Sequence, residues 1–135
     1  MTVRNPNLIF DIGTSEGNDT QFYLDKGFDV VSVEADPIVY AENLARFRSA
    51  IDQGRLQPVN RAAHNTHGTV LEFWRNEETQ GHSSLARTAK KARPHTAFEV
   101  ISIDYPALIA LKGIPHYCKI DVEGGETAFL QSIAA

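Results

Sequence analysis

The sequence predicts a doubly wound α/β domain with a parallel sheet in strand order 3-2-1-4, and three stretches carry that prediction. Leu8-Ile9-Phe10 is an apolar run entering Asp11-Ile12-Gly13-Thr14-Ser15-Glu16-Gly17, after which Asn18-Asp19-Thr20 opens a helix. Val30-Val31-Ser32-Val33 is a second apolar strand and ends at Glu34, about 20 residues after Gly13, where nucleotide-binding α/β proteins place a carboxylate for ribose hydroxyls. Tyr117-Cys118-Lys119-Ile120 is a later strand that runs into the acidic, glycine-containing turn Asp121-Val122-Glu123-Gly124-Gly125-Glu126 and a final helix. A turn with Gly13 and Gly17 either bends the chain or lets its backbone approach a ligand at the unpaired N–H groups of a helix start; the placement of Glu34 favours the ligand.

The elements follow in order. A helix from about Asn18 to Lys26 gathers Phe22, Tyr23 and Lys26, and Gly27 stands where helices end. Asp36 and Pro37 make an N-cap and first helical residue, since proline has no N–H to leave unpaired there. Tyr40, Leu44, Phe47 and Ile51 then recur on one face of an amphipathic helix that stops at Gly54. Arg55 to Ala63 predicts the third strand, and Pro58 within it requires an edge position, which a third strand has in this order. Thr69 to Arg75 predicts a short strand with Leu71 and Phe73 on one side, Val70 and Trp74 on the other, and hence covered on both. Asn76 to Thr96 is a long loop whose Arg87, Lys90, Lys91, Arg93 and His95 form either a solvated face or a surface for an acidic substrate. Phe98 to Ile103 is a strand, and Asp104 caps a helix to Leu111 that closes at Lys112-Gly113.

The 135 residues suffice for one domain spanning 1–135 and are too few for two. A formal charge of −4 argues against a nucleic-acid surface over the whole domain, and no segment approaches the length of a membrane span. Cys118 is the only cysteine, which precludes an internal disulfide; among apolar neighbours it reads as a small strand residue rather than a nucleophile. The N-terminus lacks a signal-peptide pattern, so a cytoplasmic location is expected. None of the five histidines stands at a metal-ligand spacing, and no metal is expected.

The stretches IFDIGTSEGNDT, VVSVEADP, SSL, VISIDY and YCKIDVEGGE, taken in order, resemble the FkbM-type family of S-adenosylmethionine-dependent methyltransferases over nearly the whole chain. The last stretch is the most specific of them. Thr14 and Ser15 depart from the family, standing where alanine and then asparagine or histidine are common. The resemblance implies a Rossmann-like class I methyltransferase sheet with a small antiparallel insertion around Thr69 to Ile103. It also implies S-adenosyl-L-methionine as cofactor and O-methylation of a small-molecule or glycan acceptor. The candidate cofactor-binding residues are Asp11, Gly13, Ser15, Gly17, Thr20, Glu34, Ala35, Asn60, Ala62 and Asp121, with Asn60 to Ala62 flanking the adenine. Asp121, Glu123 and His82 are the candidate catalytic residues, any of which could take a proton from an acceptor hydroxyl. Asp121 and Glu123 could instead orient the cofactor or cap the last helix.

Ser15 and Asn18 occupy the second and third glycine positions of a dinucleotide fingerprint, which lowers a nicotinamide-dependent reading. The family's sheet has seven strands, whereas this chain stops one helix after the fourth parallel strand, with the later strands missing. The expectation is a piece of a longer protein, or a chain that covers the open edge by self-association. The alternative to an enzyme is a non-catalytic nucleoside-binding or interaction module.

Overall fold

The computed structural model describes residues 3–76, 95–122 and 125–134. His82, the Ser83-Ser84-Leu85 stretch, most of the basic cluster and Glu123 lie outside the described residues.

Four parallel strands, β1 (Arg4–Ile12), β2 (Asp29–Val33), β3 (Leu56–Val59) and β7 (Ile114–Ile120), form one sheet in the order β3-β2-β1-β7, the predicted 3-2-1-4. Side-chain alternation divides its two faces. Leu8, Phe10, Ile12, Val31 and Val33 pack with Leu108 and Phe129 from α4 (Tyr105–Lys112) and α5 (Glu126–Ala134). Val30 and Leu56 pack on the other face with Leu24 of α1 (Asn18–Asp25) and with Phe47. Helices on both faces explain why Leu8 to Ile12 is buried without interruption, as in an all-parallel sheet. Pro58 lies in β3, which among the described residues pairs only with β2, so the required edge position is met. Among the described residues no helix is long and apolar enough to cross a membrane.

A second, mixed sheet has the order β4-β6-β5, made by β4 (Ala62–Ala63), β5 (Val70–Asn76) and β6 (His95–Ile103). β5 and β6 are antiparallel, with Phe73 opposite Phe98, and β4 joins β6 in parallel. This is the predicted antiparallel insertion with one parallel strand added.

Four predicted features are corrected. The third strand does not run from Arg55 to Ala63: it ends at Val59, and the chain crosses to the second sheet at Ala62. Asn60 enables the crossing, because its side-chain amide bonds Glu34 O at 2.8 Å and Ala35 O at 3.0 Å in place of a backbone ladder. The helix after Pro37 is broken at Phe47 (φ −107°, ψ 24°) into α2 (Pro37–Arg46) and α3 (Arg48–Asp52). Its buried positions are Val39, Asn43 and Phe47, while Tyr40, Leu44 and Ile51 are half-buried. Finally, β5 is not covered on both sides, since Val70 is 57% exposed and the inward side carries Leu71, Phe73 and Arg75.

Candidate functional site

The candidate site lies where β1, β2 and β7 end. Backbone bonds lock these tips together: Gly13 N–H donates to Val33 O at 2.7 Å, and Asp121 N–H donates to Ile12 O at 2.9 Å. Glu34 closes the space between the first two tips. Its Oε1 accepts from Ser15 N–H and its Oε2 from Asp36 N–H, each at 2.9 Å, so the carboxylate is turned toward the bend after β1. Burial raises its pKa above the usual glutamate value of 4.5; the bonds from Asp36 and Ser15 oppose that shift, and the neighbouring Asp36 charge adds to it.

Ser15 adopts a left-handed backbone (φ 50°), an uncommon state for a residue with a side chain. Such a state persists when its surroundings over-determine it. Glu34 fixes its N–H, and Asn43 Nδ2 fixes its carbonyl at 3.1 Å while also lying 3.4 Å from Thr14 Oγ1. Arg46 adds a bond to Glu16 O at 2.7 Å. Helix α2 therefore braces the turn from the side. Sequence reasoning missed Asn43 and Arg46; the available signal was a polar residue four positions from both Val39 and Phe47, on an otherwise apolar stripe.

Both glycines of the turn have positive φ and both are required by the protein's own packing. A Cβ on Gly13 would lie 2.0 Å from Asp121 O, and one on Gly17 would lie 2.7 Å from the Phe47 ring. Gly17 is also the N-cap of α1, and among the described residues no side chain caps the start of that helix. The N–H groups of its first turn therefore face outward from the bend without a capping oxygen.

Beneath the turn, Asp11 is fully buried and its Oδ2 accepts from Thr20 Oγ1 at 2.6 Å. Thr20 is itself fully buried, so both residues brace the turn from below. Asp11 Oδ1 has no hydrogen-bond partner among the described residues and faces Lys119 Nζ at 3.7 Å. Lys119 also pairs with Asp19 at 2.5 Å and stands 3.9 Å from Asp121 Oδ2. The Asp121 side chain is 72% exposed at the tip of β7. Burial raises the Asp11 pKa above 3.8, against the opposing bond from Thr20 and charge of Lys119. For Lys119, burial pulls the pKa down, but the bond to Asp19 and the surrounding carboxylates outweigh it and the net shift is upward.

A raised carboxylate pKa has a definite sign in folding. Above 3.8 the unfolded chain has released the Asp11 proton while the folded chain still holds it, so this contribution to stability falls as pH rises through the raised value. The stability of the native chain minus that of Asp11→Asn should therefore decline as pH rises above 3.8 in urea denaturation. A difference that is flat or grows with pH would contradict the assignment.

The remaining predicted residues divide. Ala35 is half-buried and packs on the cluster of Ala62, Phe73 and Val100, Ala62 itself is fully buried in β4, and Asn60 reaches Glu34 and Ala35 through their carbonyls. Asp11, Gly13, Ser15, Gly17, Thr20, Glu34, Ala35 and Asn60 thus form one connected arrangement, with Asp121 beside Gly13. Cys118 is half-buried with its thiol pushed up to about 11 by burial, so it stays protonated and is a strand residue. Among the described residues no group of three His, Cys, Asp or Glu comes together to hold a metal.

The site can take hydroxyl donors at Glu34. Each carboxylate oxygen accepts one backbone N–H and retains capacity for another donor, while the uncapped start of α1 offers donors nearby. No curated protein and no solved structure matched the chain. The family model described as the Methyltransferase FkbM domain matches residues 11–135, beginning at the buried aspartate and including every strand tip of the site. The chain therefore belongs to the FkbM methyltransferase family.

Proposed function

We propose that the domain is an S-adenosyl-L-methionine-dependent methyltransferase acting on a hydroxyl of a small molecule or glycan. The observation that supports it is Glu34, held by N–H groups from both strand tips with acceptor capacity to spare. The residues present fit that cofactor. Glu34 would hold the ribose hydroxyls, the bend from Gly13 to Gly17 and the start of α1 would receive the amino-acid tail, and Ala35 with Asn60 would border the base.

When bound, the cofactor supplies an electrophilic methyl group on a sulfonium. The protein's part is alignment, which supplies much of the rate in an in-line displacement, and removal of the acceptor proton. Asp121 suits proton removal, since it stands at the β7 tip, is accessible, and belongs to the edge of the sheet where ligands of open α/β folds bind.

Titration calorimetry with S-adenosylhomocysteine tests this reading directly, and an absence of heat at millimolar ligand would overturn it. Glu34→Ala should weaken binding by about 1.5–3 kcal/mol, the range for hydrogen bonds to a charged group. An unchanged affinity would move the ribose elsewhere.

A further inference from the structure

We infer that Arg75, from the second sheet, is a positioning residue for Glu34, so that the antiparallel insertion is built into the ribose end of the site. The inference rests on the cofactor reading above. The Arg75 guanidinium engages Asp36 as a fork: Nε donates to Oδ2 at 2.7 Å and Nη2 donates to Oδ1 at 2.7 Å. It lies over the Phe98 ring, 4.8 Å from the centroid, which fixes its plane from β6. Asp36 Oδ1 also accepts from Ile38 N–H at 2.9 Å, and the Asp36 N–H donates to Glu34 Oε2.

These links run in one direction, from Phe98 through Arg75 to Asp36 and then to Glu34. A rotation of residue 36 that released Arg75 would swing its N–H away from the Glu34 carboxylate. Capping α2 needs only the bond from Ile38. Burying a full ion pair is costly by comparison and is weak evidence for stability alone. Its position, one peptide away from a donor to Glu34, gives the cost a use: it holds that donor still, and it neutralises the Asp36 charge beside a carboxylate that has to bind hydroxyls.

The test uses Arg75→Lys, which keeps the charge but cannot form the two parallel bonds of the fork. S-adenosylhomocysteine affinity is measured for the native chain, Arg75→Lys, Glu34→Ala and the double variant, with thermal melts on the same samples. Arg75→Lys should weaken binding by about tenfold when Glu34 is present and by less than about twofold in Glu34→Ala, because the two residues act through one contact. Native-like affinity in folded Arg75→Lys would overturn the inference, as would an equal loss in both backgrounds. Should Arg75→Lys not fold, Phe98→Leu, which removes only the ring beneath the guanidinium, takes its place in the same cycle. Amide exchange in the ligand-free chain separates this inference from the cofactor reading. Exchange at Ser15 and Asp36 at least about tenfold faster in the variant supports the positioning role even if the native chain binds no S-adenosylhomocysteine, and unchanged exchange at both overturns it.

Discussion

Arg75→Met should destabilise the fold by about 3–5 kcal/mol, because it leaves the Asp36 carboxylate buried without this cation. The thermal midpoint should fall by on the order of 10 °C or more. Removing the charge from the other side as well, in Arg75→Met with Asp36→Asn, should recover most of the loss, since what costs stability is a buried charge that has lost this cation rather than the missing bond. The asparagine can still accept from Ile38 N–H and keep α2 capped. A single-variant loss below about 1 kcal/mol would mean that water reaches Asp36 and that the pair is effectively a surface one.

Gly13→Ala should cost about 2–5 kcal/mol, combining left-handed strain with overpacking against a backbone carbonyl. The added carbon would sit 2.0 Å from Asp121 O, an atom of the main chain that cannot rotate aside. Gly27→Ala is the internal control: its φ is +95° against +85° at Gly13, but nothing lies within 4 Å of the new carbon. It should therefore lose only the backbone term, about 1–2 kcal/mol. Equal losses at the two positions, read by denaturant unfolding, would show that β7 yields at its tip.

The parallel sheet was legible because its signals are local and periodic. Continuous apolar runs at Leu8 and Val30, glycines at the bends and a carboxylate at the end of the second strand each arise from a constraint within a few residues. Asp36, Pro37 and Asp104 could be read as helix starts for the same reason, and the two aspartate side chains do cap α2 and α4. What escaped the sequence depends on distant pairing. The crossing at Asn60 needs the carbonyls of Glu34 and Ala35, and the break at Phe47 accompanies the packing of its ring beneath Gly17. Arg75 reads as one more polar residue on an alternating strand until Asp36, 39 residues earlier, is placed against it. Asn43 lies on a helix face that the sequence did not mark as buried, between Val39 and Phe47, and a buried amide there can hold a strained carbonyl where a leucine could not.

Pro58 gives the main sheet a direction of growth. The carbonyls of Arg55 and Val59 accept from Val30 and Glu34, so the intervening even-numbered positions turn their backbone outward, and at Pro58 that rim offers no hydrogen to an approaching strand. The other rim, along Ile114–Ile120, has no strand against it among the described residues. Any lengthening of the sheet, by this polypeptide or by another, is therefore disfavoured beside β3 and open beside Lys119, so a newcomer would arrive on the side of Asp121 and away from Glu34.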